Sequence, residues 1–124
     1  HCAEPTLDGL VYVCDRPNNR IQVFLRDGTF VREFFVEPQT LSGPVADLVT
    51  SRDAGERFIF AADGANSEIN ILLREDGRKV GSFGRPGRMA GEFRSLHNMA
   101  IDSQGNIYTA EVGYGRRVQK FSPQ

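Results

Sequence analysis

Apolar and polar positions alternate along most of this chain, in runs of five or six residues. "VYVCD" (11–15), "IFAAD" (59–63) and "IYTAE" (107–111) set apolar residues on alternate sides, pass through a small residue and end in an acid. Alternation with period two predicts half-buried strands. No window of a dozen residues carries the spacing of a helical stripe, so the chain is expected to be all-β. The connectors agree. Arg26-Asp27-Gly28, Glu75-Asp76-Gly77 and Ser103-Gln104-Gly105 are turn formers, with Gly supplying a positive φ at little cost.

The runs repeat. Asp15 and Asp63 lie 48 positions apart, as do Asp63 and Glu111. "RIQVF" (20–24), "EINIL" (68–72) and "RVQKF" (117–121) superpose at the same offset, with one extra residue in the last loop. Cys14, Ala62 and Ala110 share one slot, which suits a crowded position near an axis. Four short runs per period describe a four-stranded propeller blade. With strands a to d counted from the inside, blade 1 covers about 6–36 with b 10–15, c 20–25 and d 29–36. Blade 2 covers about 44–83, with a 45–50, b 57–62, c 68–73 and d 78–83. Blade 3 covers about 96–122, with a 97–102, b 106–111 and c 116–122. Strand a of the first blade and strand d of the third have no counterpart in this reading, and "TLDG" (6–9) reads as the turn after a missing strand a.

An acid, a short Asn- or Gly-containing turn, then Arg-Ile-Gln-Val-Phe and Asp-Gly resembles the NHL repeat, in "YVCDRPNNRIQVFLRDGTFVREF" and again in "FGRPGRMAGEFRSLHNMAIDSQGNIYTAEVGYGRRVQKF". The resemblance implies a partial β-propeller of about three blades stacked around an axis. Its function is then expected to be that of a binding or interaction module working through the loop face of the blades. "DRPNNR" (15–20) reads as a blade turn: Asp15 is expected to accept N–H groups of the turn and to pair with Arg20 across the hairpin mouth, whereas Glu68 stands in Arg20's place in blade 2.

In a blade, the b–c and d–a connections lie at one end of the ring, so ligands are expected there. His97 opens an innermost strand and Tyr114 sits in the lengthened loop "EVGYGRR". Around these two residues the chain is similar to the peptidylglycine amidating lyases, NHL-type propellers that use axial histidines for a metal and hold a tyrosine and an arginine near the substrate. The alternative function is therefore a metal-dependent lyase or hydrolase, with His97 as ligand of a divalent metal and Tyr114 as the candidate catalytic side chain. The repeat departs from that pattern, because Ala46-Asp47 stand in blade 2 where His97-Asn98 stand in blade 3. His97 reads as a structural or solvent-facing histidine before it reads as a ligand. Asp47, Arg85, Arg88 and Arg116 complete the candidate binding set at this end. The loop "GSFGRPGRMAGEF" holds four glycines, but no helix follows it to make a phosphate cradle.

Composition narrows the classes. The chain has 124 residues, 40% hydrophobic and 25% charged, which suits one globular domain. A net charge of −1 and a pI near 6.1 argue against a nucleic-acid partner, even though Arg94, Arg116 and Arg117 could gather beside Tyr114. No apolar run approaches the roughly 18 residues of a membrane span. The chain begins at His1 without a signal-peptide pattern, which leaves a secreted or periplasmic parent open. Cys2 and Cys14 could form a disulfide, although Cys14 also reads as a small buried strand residue.

Three blades make an arc with two open flanks. If each flank left ~400 Å² of apolar surface wet, about 10 kcal/mol would be forgone, which is comparable with the whole stability of a domain. Head-to-tail pairing of two chains into a six-bladed homodimeric ring is therefore expected, with a protein or small-molecule ligand at the loop face; the rival expectation is a fragment whose remaining blades lie elsewhere in a larger parent.

Overall fold

The structure is a computed structural model that describes residues 1–41 and 43–124. Among these residues, eleven strands form three antiparallel sheets. The first holds β1 (Cys2–Pro5), β2 (Leu10–Asp15), β3 (Arg20–Leu25) and β4 (Phe30–Phe35). The second holds β5 (Asp47–Thr50), β6 (Phe58–Asp63), β7 (Glu68–Leu73) and β8 (Lys79–Phe83). The third holds β9 (Leu96–Ile101), β10 (Ile107–Glu111) and β11 (Arg117–Phe121). β5 lies against both β1 and β9, so the first strand of each sheet is the innermost. The molecule is a three-bladed arc of a β-propeller. Among the described residues, no helix is long and apolar enough to cross a membrane.

One strand departs from the sequence reading. Blade 1 has its strand a, because β1 pairs with β2 from Cys2↔Cys14 to Pro5↔Val11, so the blade starts at Cys2 rather than near residue 6. Four residues ending in proline give too short an alternation to register as a strand. What identifies β1 is its pairing and a Cys2–Cys14 disulfide that links it to β2. "TLDG" is the a–b turn itself: the Thr6 hydroxyl donates to Asp8 (2.6 Å), the Gly9 N–H donates to Thr6 O (3.1 Å), and Gly9 takes φ +88°.

Alternation gives every blade two faces. The leading face of blade 1 (Tyr12, Cys14, Ile21, Val23 and Phe34) packs on the trailing face of blade 2 (Leu48, Ile59, Ala61 and Leu72). Between blades 2 and 3 the same arrangement repeats, with Ala62, Ile69 and Phe60 against Ile107, Met99 and Phe121. Hydrogen bonds lock the contacts. The buried Glu56 carboxylate accepts the Leu7 N–H of blade 1 (2.8 Å) and the Thr50 hydroxyl of blade 2 (2.9 Å). Asp47 on β5 accepts the Met99 N–H of β9 (2.8 Å), tying two inner strands together.

Candidate functional site: the axial mouth and its rim

The three b–c hairpin mouths show how one sequence position finds three solutions. Asp15 accepts the Asn18 side-chain amide (3.0 and 3.1 Å) and Arg20 Nε (2.6 Å), and these bonds hold its pKa below the usual 3.8. The expected bonds from the turn's own N–H groups do not form. Arg16–Asn18 winds instead into a single 3-10 turn around Pro17, closed by Asn19 in the left-handed region. Among the described residues Asp63 meets no cation. It accepts the Asn66 N–H (2.8 Å), the Asn66 side-chain amide (2.7 Å) and Asn70 (3.3 Å), while Glu68 turns away to Lys79 (2.9 Å). Burial outweighs those bonds and raises the Asp63 pKa. Glu111 is pushed up by burial, but Arg117 Nε (2.6 Å) and the Arg94 N–H (2.6 Å) outweigh that and bring its pKa down. Structure and sequence agree that "DRPNNR" is a turn.

At the same end of the arc, b–c and d–a residues enclose a recess of about 290 Å³ lined by Arg16, Gly43, Ala46, Gly64, Ala65, Ser95, Leu96, His97 and Val112. His97 stands at the head of β9 in this recess. The His1 ring packs edge-on against it with centroids 4.8 Å apart. His1 Nδ1 donates to Ala46 O (2.5 Å), which leaves Nε2 as the acceptor facing Arg16 Nη1 (3.4 Å). His97 Nδ1 is engaged by the Asn98 side-chain oxygen (2.6 Å), which leaves its Nε2 uncommitted. Among the described residues Arg16 forms no ion pair, since Asp15 is taken by Arg20. The mouth therefore offers one uncommitted imidazole nitrogen, on His97, and a guanidinium that is held by the His1 ring and carries no carboxylate partner.

A second recess, of about 310 Å³, adjoins the first and is lined by Arg88, Arg94, Glu111, Tyr114, Gly115, Arg116 and Arg117. Tyr114 is 73% exposed, with the Arg94 guanidinium 5.5 Å above its ring. Several of the arginines here are structural. Arg117 donates to Glu111, Arg88 O (2.7 Å) and Glu92 O (2.5 Å), and Arg88 donates to Tyr114 O (2.9 Å). Gly115 sits so close to the Arg94 carbonyl that a Cβ would meet it at 2.1 Å, which fixes the loop against the rim. The glycine-rich loop 84–95 cradles its own anion. Glu92 accepts the Met89 N–H (2.8 Å) and Arg85 Nε (2.9 Å) inside it, so Arg85 is paired within the loop.

Of the residues singled out from sequence, the structure places His97 at the mouth and gathers Arg88, Tyr114 and Arg116 at the rim. Asp47 is committed elsewhere, with its two oxygens on the Leu48 and Met99 N–H groups. His1 and Arg16 were missed. His1 precedes the strand that the sequence did not reveal, and Arg16 was absorbed into the turn.

Residues 7–24 match the family model described as the NHL repeat. Among solved structures, a streptogramin B lyase superposes with a TM-score of 0.66 at 18% identity, over 97% of this chain and 36% of that one. A virginiamycin B lyase from Staphylococcus aureus superposes with a TM-score of 0.63 at 15% identity, over 98% of this chain and 40% of that one. The chain thus spans well under half the length of either lyase. The structural likenesses show the fold, an arc of β-propeller blades, and the NHL match lies in its first blade.

Proposed function

We propose that this arc of NHL-type blades is a binding module that holds its ligand at the axial mouth. The observation that carries the reading is the meeting of His1, His97 and Arg16 around one recess. Arg16 suits an anionic group on a small molecule or a protein segment, and the His97 Nε2 accepts a hydrogen bond beside it. Tyr114 and Arg116 on the adjoining rim extend the contact surface. The Cys2–Cys14 disulfide supports a secreted or periplasmic parent, since such bonds persist in oxidising compartments. Two chains are inferred to complete the ring.

A second reading, a metal-dependent lyase or hydrolase, is favoured by the paired imidazoles and by the lyase names of the structural neighbours. A catalytic zinc site takes three protein ligands and one open position. The chain brings two imidazoles to the mouth. The other grouping with ligand chemistry, Cys2, Cys14 and Asp47, is spent on a disulfide and on backbone N–H groups. The residues present are one ligand short, so no step is derived through a metal. Metal analysis of purified protein separates the readings. The binding module predicts sub-stoichiometric metal in the wild type and unchanged content in His97→Ala. Stoichiometric metal that is lost in His97→Ala would instead establish the enzyme.

A further inference from the structure

Blades 1 and 2 each carry all four strands, so the seam between them is closed by the chain's own contacts. At the end opposite the mouth, where the a–b and c–d turns lie, that seam opens into a recess of about 370 Å³. Blade 1 contributes Asp8, Leu10 and Arg32 to it, and blade 2 contributes Leu73 and Arg74, with Arg57 and Glu75 at the edge. Between the two blades the buried Tyr12 hydroxyl accepts Arg32 Nη2 (2.8 Å) and Arg74 Nη1 (3.3 Å), so two guanidiniums converge on one oxygen.

The two cations differ in what they have left to give. Arg74 is spent as a latch: its Nε donates to Glu56 O (2.8 Å), Nη2 to Gly55 O (3.1 Å) and Nη1 to Asp8 (2.8 Å). Arg32 is not. Its Nη2 reaches Tyr12 and Arg74 O (3.2 Å), but among the described residues its Nε is buried without a partner, Nη1 has no acceptor and no carboxylate pairs with it. Burial pushes the Tyr12 hydroxyl above its ordinary 10.0, so it stays neutral and balances neither charge. Blade stacking does not require this arrangement. At the equivalent place between blades 2 and 3, the repeat and the strand register put Phe60 for Tyr12, Gly81 for Arg32 and Ser122 for Arg74. That seam closes on aromatic rings instead.

We propose that this recess binds the carboxylate of a small organic acid, gripped by Arg32, with the acid's apolar body against Leu10 and Leu73. A guanidinium fork matches a carboxylate, and a hydrogen bond to a charged acceptor is stronger than one to a neutral group. The volume falls within the range of small-molecule pockets, on the order of 300–1,000 Å³. Charge selects the class. Arg57 is paired with Asp53 (3.3 Å) and Arg74 with Asp8, while Glu75 is exposed and pairs with none of the arginines. Arg32 therefore calls for one negative charge. A phosphate dianion would bring a second one beside Asp8 and Glu75, and it has no apolar body to offer the two leucines. The site is separate from the mouth and does not depend on what the mouth binds.

The test is an NMR titration of the isotope-labelled chain with benzoate, read at the Arg32 Nε–H signal and at the Leu10 and Leu73 amides, with inorganic phosphate as a second probe. In the wild type, benzoate is expected to shift the three signals together and to saturate. Arg32→Gln is expected to weaken benzoate binding about 10-fold or more, because its charge-assisted hydrogen bonds are lost. Lys120→Gln removes the same charge from blade 3 and is expected to leave the affinity unchanged. Circular dichroism checks that both variants stay folded, and if Arg32→Gln does not, the three wild-type signals decide alone. An Arg32 signal that benzoate leaves in place overturns the proposal, as does equal weakening in the two variants, which would reduce the effect to net charge. Phosphate that binds at these signals more tightly than benzoate overturns it too. Shifts confined to His97 and Arg16 would overturn this site and leave the reading of the mouth standing.

Discussion

At the scale of single residues, the acids that close strand b show how environment sets protonation and stability. Glu111 is held below the ordinary 4.5 once Arg117 and the Arg94 N–H outweigh its burial. A carboxyl shifted down contributes stability that is full above its unfolded pKa and is lost as pH falls through its folded pKa. Asp63, pushed above 3.8 by burial without a cation, has the opposite sign. Its contribution is greatest below the unfolded pKa and is lost as pH rises through the raised value. Glu111→Gln is therefore expected to cost about 1–3 kcal/mol near neutral pH, with the gap to wild type closing on acidification. For Asp63→Asn, stability relative to wild type is expected to rise as pH climbs from the acid range. Urea unfolding across pH checks both, and parallel profiles for the two variants would contradict this account.

At the scale of elements, β1 depends on its staple. The strand is four residues long, carries Pro5 and would be a marginal edge by itself. The disulfide spans 12 positions, and a loop of about that size is worth about 3 kcal/mol by constraining the unfolded chain. Cys2→Ser with Cys14→Ser, or reduction of the wild type, should lower stability by roughly that amount in denaturant titrations. Because His1 adjoins Cys2, the same change should release the His1 ring from His97 and expose β1 amides to exchange before those of β6 and β7. Equal exchange in all three strands would show that β1 is held without the bond. The turns were legible because Asp-Gly and Asn-rich connectors have few conformational alternatives. β1 was not, because its evidence lies in a partner strand and a disulfide rather than in its own pattern.

For the whole molecule, the ring reading makes stability a function of protein concentration, since a second copy that binds only the folded arc shifts unfolding by mass action. The thermal midpoint of the wild type is expected to rise with concentration, and that of Val118→Asp, which puts a carboxylate on the exposed face of blade 3, to stay constant. A concentration-independent wild type would mean that the open flanks are tolerated by a lone arc.

The sequence by itself determined the blade. Period-two alternation, the 48-residue repeat and the turn chemistry leave an all-β array of four-stranded units as the one arrangement that buries every apolar row. It also placed His97 and Tyr114 near one end of the arc, because strand order dictates which loops share an end. Only the tertiary structure decided which side chains meet there. His1 reaches His97 through a disulfide-pinned strand, Arg16 is freed because Asp15 takes Arg20, and Arg88 and Arg117 are tied down by backbone carbonyls that no residue pattern encodes. Such pairings join residues far apart in the chain through distances that only the packing of one blade on the next can set.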